Sequence, residues 1–199
     1  MSDPSRAGDA PSTRDRILAA ALAGFAERGV EATSLDAVAA EVGVRKQTVL
    51  YWFPSKEQLL HGVVDHAVDE LGRALRTAAL DAGPTLPARI AAVVDATFRL
   101  GTERPQLLAV VREVTRLGPP ASTHLARAAE PVVSTAVAAL SGDADHERVR
   151  RVLLGAGAQV VGLATEAEVR ADLGLPPDLA WLRARRRALL ASLTTALTP

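Results

Sequence analysis

The segment from Ser34 to Glu57, SLDAVAAEVGVRKQTVLYWFPSKE, admits few folded forms. Leu35, Val38, Ala39 and Val42 fall on one face of a helix. Gly43 follows where that helix must stop and the chain reverse, a turn that glycine makes without a Cβ clash. A second helix opens with Arg45, Lys46 and Gln47 and turns Val49 and Phe53 inward. Pro54 closes it, because the residue before a proline is pushed out of helical conformation. Ser55 and Gln58 form a capping box for a third helix. Two short helices about a glycine turn, the second led by cationic and amide side chains, are the pattern of a helix-turn-helix that reads DNA.

Composition narrows the rest. Apolar residues make up 48% of the 199, yet aromatics are only 3%, so the core must be Ala, Leu and Val, which favours closely packed helices. The absence of cysteine excludes a disulfide framework and a thiolate metal site. A net charge of zero argues against indiscriminate nucleic-acid binding. Between Ser12 and Leu60, Arg14, Arg16, Arg28, Arg45, Lys46 and Lys56 balance Asp15, Glu27, Glu31, Asp36, Glu41 and Glu57. Affinity for DNA must therefore come from where the charges sit, and Arg45, Lys46 and Lys56 lie on or beside the reading helix. The start, MSDPSRAGDAPS, lacks the apolar segment of a signal peptide. The stretch Val152 to Thr165 holds three glycines and Gln159 and is too short to span a bilayer. A cytoplasmic protein with no membrane partner is expected.

Helical periodicity and breaks predict an all-α chain of about nine helices. Residues 1–11 are expected to be a disordered tail. Helix 1 is expected over about Thr13 to Arg28, with Gly29 as its stop, and helix 4 over about Ser55 to Leu80. Helices 5 to 9 follow over about Leu86–Leu100, Pro105–Leu117, Ser122–Leu140, Asp145–Ala171 and Asp178–Leu197. Pro131 is expected to kink or split helix 7. The domains expected are a three-helix DNA-binding unit at 12–60 and a helical regulatory and dimerisation body at 61–199.

T-R-D-R-I-L-x-A-A at 13–21, F-A-E-R-G at 25–29, T-S-L-D-x-V-A at 33–39, G-V at 43–44 and Y-W-F-P-S-K-E-Q-L at 51–59 resemble the DNA-binding domain of the tetracycline-repressor (TetR) family. The likeness covers roughly residues 13 to 60; beyond it only helical pattern, length and number of helices agree. It implies a one-component regulator that binds a near-palindromic operator in double-stranded DNA as a homodimer. It also implies a C-terminal body that binds a small effector, here expected to be mainly apolar. The reading run Arg45 to Phe53 departs from the commonest family pattern, with Leu50 where a tyrosine is frequent and Trp52 where His is common.

The chemistry of these residues suits DNA. Arg45 and Lys46 can donate to guanine O6 and N7, Gln47 can pair with adenine, and Leu50 can meet a thymine methyl. Thr33 and Ser34, at the start of helix 2, suit a phosphate. Thr48, Tyr51 and Lys56 match family positions that touch phosphates, and Trp52 either joins them or packs.

In the body, polar residues among apolar ones are effector-site candidates: His66, Thr97, Arg112, Thr115 and Gln159, with Phe98 as the aromatic wall. The apolar stripes of helices 8 and 9 are expected to form the dimer interface, through Leu182, Leu189 and Leu193. His61 with Asp65 and His66 with Glu70 stand four apart but form no metal motif. The run Arg183, Arg185, Arg186 and Arg187 reads as a solvated face. No catalytic signature is present, so neither an enzyme nor a cofactor is expected. The alternatives are a constitutive or activating DNA-binding regulator and, further off, an all-α enzyme or carrier.

Overall fold

The computed structural model describes residues 11–141 and 145–197. Most of the tail expected at 1–11 lies outside them. Among the described residues there are nine helices and no strand. The chain divides into two compact units, Met1–Val63 and Val64–Pro199.

In the first unit, α1 (Thr13–Ala32) starts at Ser12, whose Oγ accepts from the Asp15 backbone N–H at 3.1 Å. Ile17, Leu18, Ala21, Leu22 and Phe25 are its buried face. Gly29, at φ 83° and ψ 161°, interrupts the regular helix where the sequence placed its end, but the chain winds on as far as Ala32. The short α2 (Leu35–Val42) is capped by Ser34, whose Oγ accepts from the Ala37 N–H at 3.1 Å. It ends at Gly43 in left-handed conformation, φ 73° and ψ 34°. Arg16 donates from Nη2 to the Val42 carbonyl at 2.6 Å, satisfying one of the acceptors that a helix end leaves open. Then come α3 (Lys46–Trp52) and α4 (Lys56–Asp81). Ser55 Oγ accepts from the Gln58 N–H at 3.1 Å, as its capping role requires. Val49 and Phe53 are buried, and with Leu59, Leu60 and Val63 they complete the core of this unit.

The second unit holds the rest of α4 and five more helices: α5 (Leu86–Glu103), α6 (Pro105–Leu117), α7 (Ala121–Ser141), α8 (His146–Asp172) and α9 (Leu179–Leu197). Pro131 does not split α7, which is one helix from end to end. The residue is exposed, so the Arg127 carbonyl that its ring leaves without a partner can turn to water. The core joins Ile90 and Val94 of α5, Val137 and Leu140 of α7, Val149 of α8, and Leu189, Leu193 and Leu197 of α9.

That membership includes two of the leucines expected at the dimer interface. Leu189 and Leu193 are 5% and 7% exposed inside a single chain, so they hold the body together and are not free to meet a partner. Leu182 is half-buried. Among the described residues α8 carries open apolar surface, and Leu80, Leu173, Leu175 and Leu179 are exposed elsewhere. One face of that helix, with Val149, Val152, Leu153 and Ala156, packs on the chain's own core. The other carries Leu154, Ala158, Gly162 and Val169, all exposed. A Cβ placed on Gly155, Gly157 or Gly162 would meet no atom within 4 Å. By length and composition alone α8 is long and apolar enough to cross a membrane, although the 14-residue stretch Val152 to Thr165 within it is not.

Candidate nucleic-acid interface

The reading helix is only seven residues long and carries no acidic residue. A helix this short does not hold itself together in water, so its pose depends on its anchors. Val49 is fully buried, and Phe53 just past its end is 5% exposed. A Cβ on Gly62 of α4 would lie 2.6 Å from Phe53 Cε1, so the missing side chain is the seat of that ring. The guanidinium of Arg14 covers the ring at 5.5 Å from its centroid. With that face anchored, Arg45, Lys46 and Gln47 stand exposed at the N-terminal turn, and Thr48 and Leu50 are half-buried. Tyr51 and Trp52 project from the C-terminal end, 79% and 41% exposed, with their rings edge to face. Trp52 therefore does not pack into the core. One surface thus gathers cationic, amide and aromatic side chains, the groups that donate to base edges and phosphates.

Two expected contacts are used inside the protein. Thr33 is 1% exposed, and its hydroxyl bonds the carbonyls of Gly24 and Gly29, each at 2.9 Å. Its backbone N–H donates to the Val30 carbonyl at 3.3 Å. Neither group is left for a phosphate, which corrects the expectation for this residue; Ser34, exposed at the cap of α2, keeps that possibility. Lys56 donates from Nζ to the Glu31 carbonyl at 2.9 Å, tying the start of α4 to the end of α1 and leaving two N–H groups outward. Sequence reasoning missed the partner of Lys46: its Nζ donates to Asp36 Oδ2 at 2.7 Å. Ten residues separate the two, so no rule of local helix spacing reveals the pair.

The effector-site candidates of the body are dispersed over α4, α5, α6 and α8. His66 lies 3.8 Å from Glu70, which also takes Arg104 at 2.7 Å. Asp65 is bonded to His124 at 2.8 Å. Thr97 and Thr115 each donate to a carbonyl of their own helix, Val93 and Val111, at 2.8 Å. Arg112 pairs with Glu168, Gln159 is exposed, and Phe98 packs partly buried against the core. In the arginine run, Arg185 pairs with Glu166 and Arg186 with Asp95. Arg185 holds the Glu166 carboxyl below its ordinary range, with help from the Trp181 indole N–H at 3.2 Å.

Residues 17–63 match the family of bacterial regulatory proteins named for TetR. The HTH-type transcriptional regulator BetI of Brucella suis is 27% identical over 183 residues, which is 87% of each chain. Among solved structures, a transcriptional regulator from Rhodococcus sp. Rha1 aligns over 94% of this chain and all of its own, with TM-score 0.73 and 20% identity. The fatty acid degradation regulator FadR of Bacillus halodurans aligns over 92% and 96%, with TM-score 0.72 and 16% identity. At such identities these two structures establish a shared all-α fold.

The buried hydroxyl gives a direct check. Replacing Thr33 with Val should lower unfolding free energy by about 0.5–1.5 kcal/mol, the net worth of such a bond. The salt dependence of DNA binding should stay as in the parent. Denaturant melts and binding titrations at several salt concentrations measure the two; a flatter salt slope would return Thr33 to the DNA surface.

Proposed function

We propose, from the match of residues 17–63 to the TetR family of DNA-binding transcriptional regulators, that the chain is a repressor of that family, dimeric on a near-palindromic operator and released by a small, mainly apolar effector. The observation that carries the reading is the exposed first turn of α3, with Arg45, Lys46 and Gln47 and no acidic residue of its own. A turn of that chemistry enters the major groove, and two copies in a dimer address half-sites about 34–36 Å apart. The second copy would lie on the open face of α8. That face is apolar, its glycines permit close backbone approach, and its reverse is docked on the chain's own core rather than available to lipid.

Induction would run through α4, a single helix from Lys56 to Asp81. It gives Leu59, Leu60 and Val63 to the core of the reading unit and continues with Val64, Ala67 and Val68, also buried. A ligand that shifts it would change how the heads are presented, and coupling of about 1–3 kcal/mol is typical of such linkage.

Operator reading is tested by selecting duplexes from a random library with the full chain. Replacing Gln47 with Ala should relax preference at particular base pairs by about 1–3 kcal/mol. Replacing Lys56 with Ala should weaken every sequence alike and reduce the salt slope by about one. Uniform shifts from both variants would mean that α3 does not read bases.

The assembly is tested by a contrast. Gly162→Glu should sediment as a folded monomer with unchanged helical circular dichroism. Leu193→Ala should remain a dimer and lose about 2–5 kcal/mol of stability, since it opens a cavity in the core. A wild-type monomer at micromolar concentration would refute the interface.

For induction, an apolar hit from a thermal-shift screen is titrated into the free protein and into its operator complex. The effector should bind the free dimer more tightly. A ligand with equal affinity for both is not an inducer, however tightly it binds. If every hit behaves so, the regulator is constitutive.

A further inference from the structure

Lys46 opens the reading helix, and its ammonium is held from the preceding helix. Nζ donates to Asp36 Oδ2 at 2.7 Å, with the two side chains 45% and 66% exposed. A pair so open to water adds little to stability. Asp36 also stands in the first turn of α2, where the helix dipole favours a carboxylate, but that effect does not require Lys46 as a partner. What the pair does create is a donor and an acceptor side by side on the exposed reading surface. The ammonium keeps two further N–H groups, and the carboxylate keeps Oδ1 and its unused lone pairs.

A G·C pair presents the complement of that arrangement in the major groove. Guanine N7 and O6 accept, and cytosine N4 next to them donates. An A·T pair places its donor between two acceptors, so a lysine spanning adjacent acceptors with a carboxylate beyond them finds no match there. We infer that Asp36 and Lys46 together read one G·C base pair of each half-site, Lys46 donating to guanine O6 and N7 while Asp36 accepts from cytosine N4. The inference rests on the reading role proposed for α3. It gives Asp36 a second effect: its charge opposes the phosphates, so it weakens binding to every sequence that does not supply the cytosine amine. Asp36 is a specificity residue at a cost in general affinity.

The test uses the full-length protein, the operator recovered by selection, and duplexes carrying each base pair at every half-site position. Wild type should prefer G·C at one position by about tenfold or more. Asp36→Ala and Lys46→Ala should each flatten the preference at that same position, and the double variant should be no flatter than either single one. Asp36→Ala should also bind mismatched duplexes more tightly than wild type does. Thermal melts confirm folding, and Asp36→Ser replaces Asp36→Ala where the alanine variant unfolds. If Lys46→Ala removes the preference while Asp36→Ala strengthens all sequences alike, Asp36 is a repulsive charge only and the inference falls. If Lys46→Ala changes no preference at all, the reading role of this turn of α3 falls with it.

Discussion

The surface that α3 offers to DNA stands on the burial of Val49 and Phe53. The helix between them and the solvent is two turns long, far below the length at which a helix is stable alone. Its pose is therefore a property of its seat. Phe53 occupies the space a side chain at position 62 would fill, under the guanidinium of Arg14. A methyl at Gly62 would lie 2.6 Å from the ring and would have to push it out. The exposed residues on the far side of α3 inherit their positions from that packing.

The zero net charge gains meaning when the cations are followed to their partners. Within the reading unit Arg16 closes the end of α2, Arg28 pairs with Glu27, and Lys56 bonds the Glu31 carbonyl. Arg14 lies on an aromatic face. These cations help to hold the fold, and the zero net charge of the whole chain gives little general attraction for nucleic acid. Recognition has to come from a few groups at contact distance, where a misplaced donor costs more than a smooth field could return.

The reading unit was legible because its signals are local. Ser12, Ser34 and Ser55 cap as their positions say, and Gly43 takes the left-handed turn. Periodicity also identified which residues of α9 share a face, but not what covers that face. Leu189 and Leu193 share a core with residues of α5, α7 and α8 of their own chain, while α8 also exposes Leu154 and Val169. Thr33 misled for a related reason. A hydroxyl before a helix can cap, bind phosphate or turn inward, and the close approach of Gly24 decides for the last. In the body the polarity of a threonine does not by itself mark an effector site, because its hydroxyl can bond the carbonyl four residues back in its own helix, as those of Thr97 and Thr115 do.

The two glycines of α4 are alike in kind. Gly62 receives Phe53 in the reading unit, and Gly72 receives Val132 of α7, whose Cγ2 would lie 2.7 Å from a Cβ there. Neither is a loose joint, since each is filled by a neighbour's side chain within its own unit. Close-packed contacts of this kind resist small deformation and transmit displacement. A shift of α7 would press on α4 at Gly72, and a shift of α4 would press on Phe53 at Gly62, at the foot of the reading helix. In the induction route proposed here, α4 makes one such close contact within each unit, at Gly62 and at Gly72.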